Sequence, residues 1–146
     1  MILPDTNLLI YSVNRNSPSH RAARAWLEKT LSGGEQLLLA WVAILGFLRI
    51  TTRTGLHDQP LTVDAACTFV EAWLNHPSVY IAHPGPEHGL ILSRLLRQVG
   101  TAGNLTSDAH LAALAIEHDA QLASADSDFA RFPGLRWQNP LQRPLQ

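Results

Sequence analysis

A single cysteine, Cys67, stands in a chain of 146 residues. No internal disulfide can form, so the fold must rest on its apolar core. No apolar run reaches the ~18 residues needed to span a bilayer. The first residues lack the basic segment and long apolar stretch of a secretory signal. Together these absences predict a cytoplasmic protein with no membrane segment. Charge is sparse too: 16% of residues are Asp, Glu, Lys or Arg, and the net charge is −1. No basic excess announces a polyanionic partner. Repeats, low-complexity tracts and linkers are all missing. What is present is 46% apolar residues, enough for one globular domain over residues 1–146. A Pro- and Gln-rich tail over 139–146 is expected to end loosely.

The apolar pattern alternates between short runs and helical stripes. "MILP" reads as a strand that ends at Asp5. Asp5 or Thr6 can cap a helix through "NLLIYSV". Ser17 and Pro18 are placed as N-cap and first residue of a second helix, with Ala22, Ala23, Trp26, Leu27 and Thr30 or Leu31 on one face. "QLLLA" is a strand apolar on both faces. Trp41, Ile44, Leu45 and Leu48 begin another helical stripe. Thr62 caps a helix carrying Ala66, Phe69, Val70, Trp73 and Leu74. "SVYIA" is strand-like. Pro86 opens a helix through Ile91, Leu95, Leu96 and Val99, which Gly100 stops. Thr106 or Ser107 caps "DAHLAALAIEH". "AQLASA" is a strand, and "LRWQ" a last short one. This alternation predicts an α/β domain with a mainly parallel sheet and helices on both faces.

In such sheets ligands sit outside the carboxyl ends of the strands. Asp5 ends the first strand. Asp126 and Asp128 follow directly on "QLASA". Asp108 lies in the first turn of the helix that feeds that strand, so it starts at the same edge. Four of the seven aspartates are thus expected at one edge of the sheet. Clustered carboxylates repel, so one must take up a proton or bind a cation. With no Cys nearby and no His pair at metal spacing, oxygen donors favour Mg²⁺ or Mn²⁺ over Zn²⁺. Such an ion with open water positions suits phosphodiester hydrolysis. Each residue also has an ordinary reading: Asp5 as an N-cap, Asp108 as a partner of the helix dipole, "ADSDF" as a turn. Setting the four aside leaves 11 cationic and 8 acidic side chains, so charge is no bar to a phosphate ligand.

These residues bring a family into view. "PDTNLLIYSVNRNSPSHRAARAWL", "WVAILGFLRITT" and "GNLTSDAHLAALAIEHDAQLASADSDFARFPGL" resemble the motifs of PIN-domain ribonucleases of the VapC toxin type. The resemblance covers about half the chain. It implies a PIN-like three-layer α/β domain and a Mg²⁺- or Mn²⁺-dependent endoribonuclease. It also implies an RNA substrate, a VapB-like antitoxin that neutralises the protein, and a homodimer. Carried over by position, it makes Asp5, Asp108 and Asp126 metal ligands and Asp128 a further catalytic carboxylate. Thr6, Asn7 and Ser124 become the polar groups that orient those carboxylates. Arg49, in "FLR", becomes a candidate for an RNA phosphate. Cleavage by an activated water would leave a 5′-phosphate and a 3′-hydroxyl.

The chain departs from that pattern in one place. The family commonly carries a glutamate in the middle helix, yet "AWVAILGFLRI" has no acid, and Gly46 stands just before Phe47. Glu35 begins the second strand, at the wrong end of the sheet to replace it. The departure predicts weak metal binding in the free protein. It also keeps open a second reading, a catalytically weak PIN-like domain that binds RNA or a protein. His110 is read as structural or interfacial, because two positions on a helix point it away from Asp108. His20, His83, His88 and His118 show no metal spacing with one another, and most of them are read as solvated. Trp26, Trp41 and Trp73 are assigned to the core or a dimer interface, and Arg15, Arg21 and Arg24 to a solvated face.

Overall fold

The computed structural model of the protein describes residues 1–54 and 59–142. Residues 143–146 of the expected loose tail lie outside that range. The part of the tail that is described is turned back on itself, with the Leu141 amide donating to Asn139 Oδ1 at 3.0 Å.

Among the described residues, five short strands form one parallel sheet in the order β3-β2-β1-β4-β5. They are β1 (Ile2–Pro4), β2 (Leu37–Leu39), β3 (Val79–Ile81), β4 (Gln121–Ala123) and β5 (Trp137–Gln138). Between them run α1 (Thr6–Val13), α2 (His20–Ser32), α3 (Trp41–Thr52), α4 (Val63–Asn75), α5 (His88–Val99) and α6 (Thr106–Glu117). Parallel neighbours require crossovers, and helices supply them. The chain builds β1, β2 and β3 outward in one direction. It then crosses back through α5 and α6 to lay β4 on the other side of β1. The winding therefore reverses between β1 and β4, which pair as Ile2↔Gln121, Leu3↔Leu122 and Pro4↔Ala123.

Two apolar layers enclose the sheet. Leu3, Leu38 and Leu122 pack with Leu95 of α5 and with Ala112 and Leu114 of α6. Leu37 and Leu39 face the other way, onto Leu9, Leu27, Ile44, Phe47 and Trp73. β2 is buried along its whole length, as an apolar strand covered on both faces should be.

Three helix starts differ from the sequence reading. α2 begins at His20 rather than Pro18, because Ser17 closes a turn instead: its Oγ accepts from Ser19 N at 3.1 Å and its carbonyl from His20 N at 3.0 Å. α5 begins at His88 rather than Pro86. The Glu117 carboxylate holds the preceding turn by accepting from Gly85 N at 2.8 Å and Glu87 N at 3.1 Å. Neither Thr106 nor Ser107 caps α6; a short 3₁₀ turn, Gly103–Leu105, leads into it with no side-chain cap. The Thr62 cap and the Gly100 stop are as expected, Thr62 Oγ1 accepting from Ala65 N and Gly100 adopting φ 82°.

The buried face of α3 is also displaced from the expected stripe. Ala43, Ile44, Phe47 and Thr51 are inside, whereas Trp41 and Leu45 are 47% and 60% exposed. Ala22 is exposed on α2. Trp73 is in the core, edge-on to Phe47 with ring centroids 4.9 Å apart.

Candidate active site

The carboxyl ends of β1 and β4 lie side by side where the winding reverses, the position at which open α/β sheets form a crevice. Asp5 leaves β1 there, its amide donating to Ala123 O at 2.8 Å. It is the N-cap of α1, so the capping reading holds. The residue is also only 8% exposed, which a cap alone does not require. Its two oxygens are separately engaged. Oδ1 accepts from the Thr6 amide at 2.7 Å, and Oδ2 accepts from Ser124 Oγ at 2.8 Å.

Ser124 is wholly buried at the end of β4 and serves both acids. Its hydroxyl donates to Asp5 and accepts from the Asp126 amide at 3.0 Å. Its backbone is tied to β5, with Ser124 N donating to Gln138 O and Trp137 Nε1 donating to Ser124 O, both at 3.0 Å. Asp126 in turn caps a 3₁₀ turn, its Oδ1 accepting from Asp128 N at 2.9 Å. Asp128 is exposed and Asp126 and Asp108 are half-buried.

The carboxylates feel one another: Asp126 acts on Asp5, and Asp5, Asp126 and Asp128 all act on Asp108. Burial raises the Asp5 carboxyl above its ordinary value against the pull of the Ser124 and Thr6 hydrogen bonds, and Asp126 raises it further. Asp108 is pushed up to about 6, first by burial and then by Asp5, Asp126 and Asp128 in turn. Among the described residues no cation acts on either group. Like charges gathered without an offsetting one are costly, and a bound cation relieves that cost.

The donor set is entirely oxygen, with Ser124 and the Thr6 amide holding Asp5 in place, and this fits a hard divalent ion. Among the described residues, however, no three His, Cys, Asp or Glu side chains stand ready as a closed metal cage. Aspartate oxygens that do not close a cage suit a hard ion whose remaining positions are filled by water and substrate oxygens. That matches the acid-free α3.

The other expected site residues divide. Thr6 reaches Asp5 through its amide. Asn7 is half-buried in the first turn of α1 and makes no hydrogen bond to the aspartates among the described residues. Arg49 is exposed on α3 and does not act on the acids. His110 points away from them, as expected, its Nδ1 lying 2.9 Å from His88 Nε2. His88 is 8% exposed where α5 meets α6, so it is not among the solvated histidines. Sequence reasoning treated Gly46 only as a missing acid. A Cβ at that position would lie 2.9 Å from Thr6 Cγ2, so it borders the site. The available signal was a glycine in mid-helix, which implies a close approach.

Two clefts of about 360 and 310 Å³ lie elsewhere, sharing Val13, Arg15 and Phe69 in their walls. No site aspartate lines either, and their size is no guide to the chemistry.

Comparison with known proteins agrees with this architecture. The PIN domain family model matches residues 2–135. Ribonuclease VapC37 of Mycobacterium tuberculosis is 47% identical over 96% of this chain and 97% of its own length. Ribonuclease VapC33 of the same species is 44% identical over 97% and 99%. Among solved structures, VapBC2 of Rickettsia felis bound to a promoter DNA fragment superposes with a TM-score of 0.70 at 19% identity, covering 95% of this chain and 98% of that one. VapC20 of M. tuberculosis, described as a sarcin-ricin-loop-cleaving toxin, superposes at 0.67 with 18% identity, covering 93% and 99%. At such identities the structures bear on the fold, and the curated relatives on the family. The chain belongs to the PIN-domain family, among its VapC ribonucleases.

Proposed function

We propose that the protein is an endoribonuclease toxin that hydrolyses RNA phosphodiester bonds with Mg²⁺ or Mn²⁺ and is neutralised by a VapB-like antitoxin. One observation carries the reading: Asp5 and Asp108 are both held toward their protonated forms by burial and by neighbouring aspartates, Asp126 acting on both, with no offsetting cation acting on either among the described residues. Asp5, Asp108 and Asp126 are the ligands in this reading. A divalent ion there supplies a water of lowered pKa and neutralises charge on the reacting phosphate. Ser124 and the Thr6 amide fix the direction of the Asp5 carboxylate, and Ser124 ties it to Asp126. Asp128, exposed and joined to Asp126 through its amide, assists as a further catalytic carboxylate in this reading. Exposed Arg49 is a candidate contact for the RNA backbone. No protein nucleophile is required.

The names of the curated relatives support ribonuclease activity. Complexes of VapC-like proteins with their antitoxins support the partner. Self-association as a homodimer belongs to the same proposal, and sedimentation of the free protein at the mass of two chains would bear it out. No helix among the described residues is long and apolar enough to cross a membrane, which fits a cytoplasmic RNA target. The rival reading, a binding module with little turnover, draws on the incomplete metal cage. Chelation separates the two. Cleavage of cellular RNA should stop in EDTA and return when excess Mg²⁺ or Mn²⁺ is added. RNA binding that persists with no cleavage under any metal would favour the module.

A further inference from the structure

Gly46 occupies the middle of α3, where glycine is the least favoured residue after proline. Its conformation does not demand glycine; its surroundings do. A Cβ built there would stand 2.9 Å from Thr6 Cγ2 and 3.0 Å from Thr6 Oγ1. Both branches of the Thr6 side chain therefore straddle the bare backbone of Gly46. Thr6 is the first residue of α1, and α1 packs on α3. As a β-branched residue it has little rotamer freedom. Its amide is the donor at 2.7 Å to Asp5 Oδ1. The contact thus runs from α3 through one stiff side chain to one oxygen of a buried carboxylate.

We propose that Thr6 and Gly46 are a positioning pair: the Thr6 side chain seated against Gly46 sets the start of α1 and so aims the Asp5 carboxylate at the cation. α3 has no Asp or Glu between Trp41 and Thr52, and what its middle meets at Gly46 is the Thr6 side chain. Neither residue touches substrate in this account; both act through Asp5. The inference rests on the reading of Asp5 as a cation ligand.

The test is Mn²⁺ binding to the whole chain without RNA, read from the electron paramagnetic resonance signal of free Mn²⁺, with thermal melts alongside. Gly46→Ala should weaken binding by about tenfold, the scale of losing a group that orients a ligand. Thr6→Ser, which removes Cγ2, should also weaken it, and by less. The double variant should bind more tightly than Gly46→Ala alone, because the serine can turn away from the new methyl. Wild-type affinity in Gly46→Ala overturns the proposal. So do effects that simply multiply in the double variant, or losses that track melting temperature alone. Should Gly46→Ala not fold, Thr6→Ser decides, and wild-type Mn²⁺ affinity there overturns the pair. Asp5→Asn separates the two levels. Its binding Mn²⁺ like wild type would sink the ligand reading itself, whereas loss there with unchanged Thr6→Ser and Gly46→Ala sinks the pair alone.

Discussion

The Asp108 carboxyl is pushed up to about 6, first by burial and then by its aspartate neighbours. Its folded-state value lies above its ordinary one, so ionising it costs the folded state. The stability it leaves intact below about pH 4 is lost as pH rises through about 6, on the order of 1 kcal/mol after solvent screening. Asp108→Asn should therefore melt higher than wild type near pH 7 in EDTA, with the difference vanishing near pH 4, while cleavage is lost. Paired thermal melts at the two pH values check this. Because the ligand must be ionised, metal affinity of the wild type should rise as pH climbs past 6. Ser124→Ala is expected to strand both Asp5 Oδ2 and the Asp126 amide, costing roughly 1–3 kcal/mol and most of the activity. Urea unfolding and cleavage rates measure the two parts. At this scale the places of the four aspartates in their elements were legible, because strand ends and a first helical turn fix where such residues fall. Gly46 and His88 were not. A glycine's neighbours across a helix pair, and a histidine's burial between two helices, depend on packing that no local pattern states.

Helices show where local rules compete. Pro18 and Pro86 both favour a first helical position, yet each sits in a turn held by another group, Ser17 in one case and Glu117 in the other. Glu117 is distant in sequence, so its claim on the α5 start could not be read locally. Gly100 behaves as its type predicts, with φ 82° closing α5. Gly100→Ala should cost about 1 kcal/mol for that left-handed position, and Thr62→Ala about 1 kcal/mol for the lost cap, both read as shifts in the urea midpoint with activity retained. Trp41 and Leu45 fell outside the core because α3 turns Ala43, Ile44 and Phe47 inward. Apolar residues cover nearly every face of that helix, so periodicity alone could not choose among them.

For the molecule as a whole, the order β3-β2-β1-β4-β5 explains the placement of the site. The winding reverses between β1 and β4, and each of those strands ends beside an aspartate. Alternating elements made the parallel α/β class legible in the sequence. The position of β4 beside β1 follows from the crossover through α5 and α6, which buries Leu3 and Leu122 in one layer. The functional account stands on Asp5, the most buried of the site acids and the one tied to Thr6 and Ser124. The most direct measurement is cleavage of total cellular RNA by wild type and Asp5→Asn in saturating Mg²⁺, with cut ends mapped. Wild type should produce discrete cuts bearing 5′-phosphates, and Asp5→Asn should produce none while remaining folded. Equal cleavage by a folded Asp5→Asn protein would contradict the account.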